Sequence, residues 1–305
     1  MSTTTILQPG EIEAAAGDLP ELLLPKADLF QDRERRFRQL AEGHPLADWL
    51  RFLAALSHAQ HEAFSGLEGL ILPDDTQLER CREHAMPPLA PPTWRRDPAW
   101  RDVLRQLARG VRGAAPEALH PALDRFEKLD SAWLENQADR LLAGETRSLD
   151  PAQAPLIGAA LQTCWTRLAH GLDARRIARP AYPNLCPVCG SHPVSSVIRI
   201  GGPENGLRYL HCALCSSEWH VVRAKCSNCD NSKGVAYLSL EGQGKKVHAE
   251  TCPECQTYLK VMHQDKDPHI DPVADDLATL PLDILVGEEG FAPSGMNLLM
   301  PAREE

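Results

Sequence analysis

Cys186-Pro-Val-Cys189 is the first of four Cys-x-x-Cys pairs in the second half of this chain. The second pair, Cys212-Ala-Leu-Cys215, follows after 22 residues, and the third, Cys226-Ser-Asn-Cys229, after 10 more. The fourth, Cys252-Pro-Glu-Cys255, again follows after 22 residues. The equal intervals predict a duplicated unit of 40 residues that carries four thiolates. Four thiolates at tetrahedral corners, about 2.3 Å from the ion, suit Zn(II) or a mononuclear rubredoxin-type iron.

The duplication also predicts which cysteines share an ion. The first and second pairs form one site, and the third and fourth form the other. A cross-braced arrangement, in which the first and third pairs share an ion, has the same spacing and stays open. A four-cysteine site has no open coordination position, which favours a structural metal over a hydrolytic centre. Redox or sulfur handling by at least one pair is the alternative. The predicted ligands of the two ions are Cys186, Cys189, Cys212, Cys215, Cys226, Cys229, Cys252 and Cys255.

The remaining candidate residues have simpler interpretations. His211 and His220 flank the second pair and His248 precedes the fourth, so each is an alternative ligand or proton relay. Four cysteines per site make that role unnecessary. Cys81 and Cys164 fall in predicted helices without a partner, and we expect each to pack in the core or to be a partly buried thiol. No phosphate-binding loop and no nucleophile elbow occurs, so we expect a protein that is not an enzyme.

Charge is distributed unevenly along the 305 residues. The net charge is −4 in residues 1–180, +1 in residues 181–265 and −7 in residues 266–305. Because nucleic-acid-binding proteins usually present a basic face, no nucleic-acid partner is expected. The sequence shows no secretory signal and no run of about 18 apolar residues, so we expect a cytoplasmic protein without membrane insertion. Thiols stay reduced there, which favours metal binding over disulfides.

The first half of the chain is predicted to be helical. Residues 1–28 are expected to form a flexible tail, and residues 29–180 an all-α domain of six or seven helices. Apolar residues recur with helical spacing between Leu46 and Phe64. Asp97-Pro98 and Asp150-Pro151 each predict a helix start, because an N-cap residue precedes a proline at the first helical position. One long helix is expected to follow Pro116 and continue through Leu142.

Beyond Arg179-Pro-Ala-Tyr-Pro183 the pattern changes to short strands separated by turn residues. The predicted fold class is α+β: an all-α N-terminal domain followed by two tandem rubredoxin-like or zinc-ribbon β modules. The modules span residues 181–220 and 221–265, and an acidic C-terminal segment, 266–305, is expected to dock on the body. The predicted strands cover residues 194–200, 207–211, 218–223, 235–240, 245–249 and 258–262, with a turn at 241–244.

Six arginines follow one another on and around one predicted helix. A solvated helix face is the simpler interpretation, and an anion-binding or protein-docking surface is the alternative. These residues are Arg95, Arg96, Arg101, Arg105, Arg109 and Arg112.

The cysteine-rich half resembles the FdhE family, the formate dehydrogenase accessory proteins. The 22-10-22 spacing makes this resemblance specific, and it extends over nearly the whole chain from about residue 30. In the helical half the similar segments include His44-Pro-Leu-Ala47 and Leu156-Ile-Gly-Ala-Ala-Leu-Gln162. The cysteine-rich segments are Cys186-Pro-Val-Cys-Gly-Ser-His-Pro193, Arg208-Tyr-Leu-His-Cys-Ala-Leu-Cys215, Glu218-Trp-His-Val-Val-Arg-Ala-Lys-Cys-Ser-Asn-Cys229 and Glu250-Thr-Cys-Pro-Glu-Cys-Gln-Thr-Tyr-Leu-Lys260.

The resemblance implies a non-catalytic maturation factor needed for active respiratory formate dehydrogenase. Such a factor is expected to bind the catalytic subunit of that enzyme in the cytoplasm and to carry rubredoxin-like iron on its Cys-x-x-Cys pairs, with zinc as the alternative. A rubredoxin-like redox or sulfur-handling protein that acts on the enzyme's metal centre is the second hypothesis. In either case the two sites are expected to be separate, so a Cys→Ser substitution should destabilise its own unit and leave the helical domain folded.

Overall fold

The helices of the first half follow the apolar periodicity of the sequence. A computed structural model describes residues 19–145, 149–179, 181–223, 225–240 and 246–301. Within them the first half contains seven α-helices, in agreement with the predicted number. Their bounds are α1 Leu29–Leu40, α2 Ala47–Gly66, α3 Asp75–Glu83, α4 Trp100–Val111, α5 His120–Arg125, α6 Ser131–Leu142 and α7 Ala154–His170.

Helix α7 is the centre of this domain. Fifteen of its residues are buried, including Leu161 and Trp165, because it is apolar on all sides rather than on one stripe. Helices α2, α4 and α6 pack around it. Helix α4 is strongly amphipathic and buries Trp100, Leu104 and Leu107. The apolar periodicity therefore places one fully buried helix inside a layer of amphipathic ones.

The prediction of a single long helix after Pro116 is wrong. The chain instead forms a short 3₁₀ turn at Glu117–Leu119 and α5, and α6 begins only at Ser131. The Asp130 side chain accepts hydrogen bonds from the backbone N–H groups of Ala132 and Trp133, which caps a new helix at this point. An apolar stripe continues across the break, so periodicity alone does not reveal it.

Both Asp-Pro pairs form turns ahead of their helices. Asp97 accepts from the Ala99 N–H and Asp150 from the Ala152 N–H, an arrangement typical of Asx turns. The helices themselves begin three and four residues after these aspartates, at Trp100 and Ala154. The prediction placed each start a few residues early.

The second half forms a mixed sheet of eight strands, which confirms the predicted α+β fold. Its main path has the order β1-β4-β3-β2-β7-β6-β5, and β8 pairs with β7. Strands β2 and β7 pair in parallel, with Ser196 opposite Val261, and this pairing joins the two hairpin units into one sheet. The bounds are β1 Leu22–Leu23, β2 Pro193–Ile198, β3 Arg208–Cys212, β4 Glu218–Val221, β5 Ala236–Leu238, β6 Val247–Cys252, β7 Thr257–His263 and β8 Ala292–Pro293.

The six predicted strands match β2 to β7 within a few residues, whereas β1 and β8 were not predicted. Strand β1 lies in the segment expected to be a tail and pairs with β4. Residues 1–18 of that tail, the predicted turn at 241–244 and the first residue of the predicted strand 245–249 lie outside the described residues. The domain boundaries at 180, 220 and 265 stay predictions.

The acidic C-terminal segment contains two short helices, α8 Ala274–Ala278 and α9 Leu280–Glu288, and α8 lies against α1. Two buried arginines of α1 bind carboxylates of the acidic segment. Arg33 donates to Asp271 at 3.2 Å, and Arg36 donates to Asp275 at 2.5 and 2.8 Å. Further along this segment, Leu298 packs closely against α7 at Gly158. A Cβ at Gly158 would lie only 2.4 Å from the Leu298 carbonyl oxygen, so the contact requires a glycine there.

Within the described residues, none of the helices has the length and apolar character needed to cross a membrane.

Candidate metal centres

The first four-cysteine cluster is fully buried. It consists of Cys186, Cys189, Cys212 and Cys215, whose sulfur atoms all lie within 4.8 Å of one another. The Sγ atoms of Cys186 and Cys215 are 3.5 Å apart, and those of Cys189 and Cys212 are 3.3 Å apart. Each pair lies in a tight turn next to a strand, so β2 and β3 bring the two turns together. This grouping is the one that the duplication predicted.

Backbone N–H groups point at the sulfur atoms of this cluster. Val188 N–H donates to Cys186 Sγ, and both Leu214 and Cys215 N–H donate to Cys212 Sγ, each at 3.4 Å. Such donors stabilise the thiolate form and orient it toward a cation. This arrangement is the one expected for cysteines that bind a metal ion as thiolates.

The second cluster has the same plan but is more open to solvent. It consists of Cys226, Cys229, Cys252 and Cys255, of which Cys229 is exposed and Cys255 half-buried. The Sγ–Sγ distances are 3.8 Å for Cys226 and Cys255 and 3.6 Å for Cys229 and Cys252. Since each cluster collects the two pairs of one unit, the cross-braced arrangement is incompatible with the structure.

All four cysteine turns share one unusual backbone conformation. The residue after the second cysteine of each pair has a positive φ: 73° at Gly190, 57° at Ser216, 61° at Asp230 and 53° at Gln256. Glycine adopts this conformation without cost, whereas other residues lose about 1–2 kcal/mol. The sequence differs at these four positions, but the backbone does not. A glycine is therefore not required for this turn geometry.

The thiol pKa values differ within each cluster. Burial raises the pKa of Cys226 to about 12. Burial acts in the same direction on Cys255, but hydrogen bonds from the Thr257 hydroxyl and the Asn228 side chain outweigh it and lower its pKa to about 6. In the first cluster burial raises the pKa of Cys186, while hydrogen bonds from the neighbouring thiols lower that of Cys189 despite burial. Each cluster thus contains at least one thiol whose pKa is lowered: Cys189 in the first and Cys255 in the second.

The donor sets fit a metal ion. Four sulfur atoms within 4.8 Å, some with N–H donors directed at them, can hold one ion per cluster. The identity of the metal does not follow, because sulfur ligands of this kind suit both iron and zinc.

The histidines do not belong to either cluster. Among the described residues, the possible metal-binding groups contain cysteines alone. His211 Nδ1 lies 2.9 Å from Glu218 Oε1, His220 packs edge-on against Tyr209, and His248 packs against Tyr237. The histidine-ligand alternative therefore finds no support.

The two cysteines outside the clusters lie in helices, as predicted. Cys81 is half-buried in α3, and Cys164 is buried in α7, where burial raises the pKa of its thiol.

Most of the six arginines are already paired with acidic groups. Arg96 and Arg101 bind Glu135, Arg105 binds Asp102, Arg109 binds Glu127 and Arg112 binds Asp124. These pairs favour the solvated helix face over an anion-binding surface.

The first cluster is attached to the helical domain, which the sequence did not reveal. Gln162 of α7 donates to the Ala213 carbonyl oxygen at 2.9 Å, and Thr166 donates to the Ser216 hydroxyl at 3.3 Å. In the first turn, Val188 accepts from Leu89 N–H at 2.9 Å. All four cysteines belong to the same apolar core as α7. Polar residues in an otherwise apolar helix, Gln162 and Thr166, are the signal that points to such an attachment.

These features define a class of protein: a helical domain joined to a mixed sheet that carries two four-cysteine clusters. The chain belongs to the FdhE family. Three family models match it in succession: "FdhE, N-terminal" at residues 19–181, "FdhE, central domain" at 185–223 and "FdhE, C-terminal domain" at 224–300.

Similar proteins cover almost the whole chain. The "Protein FdhE homolog" of Pseudomonas aeruginosa is 44% identical over 301 residues, which is 97% of both chains. That of Edwardsiella ictaluri is 44% identical over 285 residues, covering 93% of this chain and 92% of the relative. The crystal structure of the FdhE protein from Pseudomonas aeruginosa has a TM-score of 0.85 at 41% identity and covers 94% of this chain and 100% of that one.

Proposed function

We propose that this chain is a non-catalytic accessory factor for respiratory formate dehydrogenase that binds the catalytic subunit of that enzyme in the cytoplasm. The observation that carries the proposal is the match to three successive FdhE models, which together span almost all described residues. A metal-stabilised fold without an open coordination position supports a binding role rather than catalysis.

The eight cysteines are the proposed ligands of two mononuclear metal ions. The first cluster would hold its ion in the core between sheet and α7, where metal binding contributes directly to folding. Iron is favoured by the family resemblance, with zinc as the alternative. Metal analysis of protein purified without added metal and with air excluded decides between them, and the expected stoichiometry is two ions per chain.

The binding role is tested with the purified catalytic subunit of formate dehydrogenase. Immobilised chain should retain the subunit, and a strain that lacks the chain should lose formate dehydrogenase activity while still making the subunit. Purified chain alone should not oxidise formate. Normal formate dehydrogenase activity in the deletion strain would contradict the proposal.

A second candidate is a redox or sulfur-handling protein that acts on the metal centre of that enzyme. The exposed Cys229 and the low pKa of Cys255 favour it, because an accessible, readily deprotonated thiol is reactive. It predicts thiolate-to-iron absorption that bleaches with dithionite and returns in air. A colourless protein with two zinc ions would exclude the redox form of this candidate.

A further inference from the structure

Helix α9 has apolar residues on its exposed side as well as on its buried side. Leu282 and Val286, one turn apart, are buried in a small core that the helix shares with the sheet. On the other side, Ile284 is 63% exposed and Leu285 is 49% exposed. Pro281 is exposed too and lies one turn before them, so the three residues form one stripe along the helix. The described part of the chain leaves this stripe open to solvent.

The buried side fixes the helix on the sheet. The Asp283 carboxylate accepts hydrogen bonds from the Lys260 ammonium and from the Tyr258 hydroxyl, each at 2.6 Å. Lys260 is almost completely buried, so this contact is an interior one. The exposed stripe therefore belongs to a helix that is already ordered, which lowers the conformational cost of binding a partner.

Two glutamates without partners follow the stripe. Glu288 lies one turn after Ile284 and Leu285, and Glu289 is the next residue. Both are exposed, and within the described ranges neither forms a hydrogen bond or an ion pair. The last turn of α9 contains no basic residue. Because the C-terminal end of a helix carries partial negative charge, glutamates there destabilise it. A cation from another molecule would neutralise both the glutamates and the helix end.

Exposed apolar residues are common on protein surfaces, so the charges beside the stripe decide what it fits. A second copy of this chain is disfavoured, because a symmetric contact through the stripe would bring the glutamates of both copies together. The net charge of −10 adds to this repulsion. The occupant that fits has apolar side chains next to a lysine or arginine.

We propose that the exposed stripe of α9 binds a segment of the partner polypeptide in which apolar side chains adjoin a lysine or arginine. The apolar side chains cover Ile284 and Leu285, and the basic group lies beside Glu288 and Glu289. The inference rests on the proposed function, because the partner is the catalytic subunit of formate dehydrogenase.

The experiment compares the affinity of the full chain and of four variants for the purified catalytic subunit, at low and at high ionic strength. Ile284→Ser removes apolar area from the stripe. The double substitution Glu288→Lys/Glu289→Lys reverses the charge beside it. Metal content and unfolding temperature establish that each variant is folded.

Each of these variants has a matched control in the helical half of the chain. Ile71→Ser is the control for the apolar substitution, because Ile71 is 76% exposed. Glu79→Lys/Glu83→Lys is the control for the charge reversal. Both of these glutamates are exposed on α3, and the described part of the chain offers them no ion-pair partner.

We expect Ile284→Ser to weaken binding about tenfold, the loss typical of a residue at the centre of an interface. Glu288→Lys/Glu289→Lys should weaken binding about tenfold or more at low ionic strength, and the loss should shrink as salt is added. Both controls should stay within about threefold of the unmodified chain.

The charge reversal should also raise the unfolding temperature, because basic residues favour the C-terminal end of a helix. Weaker binding by a more stable protein separates a docking role from a structural one. If this variant instead unfolds at a lower temperature, Ile284→Ser decides the question, because its side chain lies at the surface.

If each stripe variant binds the catalytic subunit as tightly as its control does, the inference is overturned and the proposed function stands. A dimer of the unmodified chain that Ile284→Ser converts into monomers would overturn the inference in favour of a second copy. Failure of the unmodified chain to bind the catalytic subunit would overturn both the inference and the proposed function.

Discussion

Arg208 of β3 and Glu250 of β6 form a buried ion pair that crosses the two strands between them. Arg208 donates to both carboxylate oxygens of Glu250, at 2.7 and 3.0 Å, and both side chains are almost completely inaccessible. Arg208 belongs to the first cysteine-containing unit and Glu250 to the second. The pair therefore links the two units through side chains as well as through the pairing of β2 with β7.

Removing one member of this pair should destabilise the sheet strongly. Glu250→Gln leaves the Arg208 guanidinium buried without a counter-charge, which typically costs about 3–5 kcal/mol. The free energy of unfolding, from urea denaturation followed by circular dichroism, measures the effect. Asp48→Asn removes the exposed partner of Arg51 and should cost less than about 1 kcal/mol. Equal losses of unfolding free energy in the two variants would contradict a strong contribution from the buried Arg208–Glu250 pair.

The two metal clusters should respond differently to loss of a ligand. Cys189→Ser disturbs a cluster that shares its core with α7, so hydrogen exchange should rise both in the sheet and in α7. Cys229→Ser disturbs the cluster that is more open to solvent, and the increase in hydrogen exchange should stay within β5, β6 and β7. Each variant should also lose about one of the two metal ions.

This expectation corrects the one drawn from the sequence, in which both substitutions spare the helical domain. If α7 in Cys189→Ser keeps its full protection from hydrogen exchange, the helical domain is independent of the first cluster, as the sequence had suggested.

Glycine substitutions test the shared backbone conformation of the cysteine turns. Gln256→Gly relieves a φ of 53° and should stabilise the chain by about 0.5–1 kcal/mol. Gly190→Ala acts in the opposite direction, because its φ is 73° and a Cβ there would lie 3.1 Å from Pro87 Cγ. Thermal unfolding with both metal sites filled measures the two changes. A destabilised Gln256→Gly variant would show that the turn is not strained.

Glu218 should make stability depend on pH in the acid range. Burial opposes ionisation, but Arg199 and His211 outweigh it and lower the pKa of Glu218 to about 2. A carboxyl group with a depressed folded-state pKa contributes its full stabilisation above the unfolded-state value, here 4.5, and loses it as pH falls toward 2. The unfolding free energies of the unmodified chain and Glu218→Gln should therefore converge between those pH values.

Taking the difference between the two proteins removes the contribution of the cysteine clusters, which both share. If the difference in unfolding free energy is the same at pH 5 and pH 3, Arg199 and His211 do not lower the pKa of Glu218.

The local features of this protein were predictable and the long-range ones were not. Equal cysteine intervals favoured the grouping of the eight cysteines that the structure shows, although the spacing left the cross-braced alternative open. Short strand-like runs bounded by turn residues placed β2 to β7. The parallel pairing of β2 with β7 joins residues more than sixty positions apart, and no local pattern encodes it.

The contact of α7 with the first cluster escaped prediction for a related reason. Gln162 is one amide in an apolar helix, and its acceptor at Ala213 lies 51 residues away. The break before Ser131 is a different case, since Asp130 is a recognisable N-cap residue. There the continuing apolar stripe suggested one helix, whereas the Asp130 cap begins a new helix at Ser131.

The pairing of α1 with the acidic C-terminal segment has a consequence for synthesis of the chain. Arg33 and Arg36 are buried in the native protein, and the carboxylates they bind belong to residues 267–275. A chain emerging from the ribosome makes α1 early, but the acids that neutralise its arginines appear more than two hundred residues later. Because burying unpaired arginines is costly, the helical half should not reach its final packing during translation. We therefore expect α1 to reach its final packed position only after residues 267–275 have been synthesised.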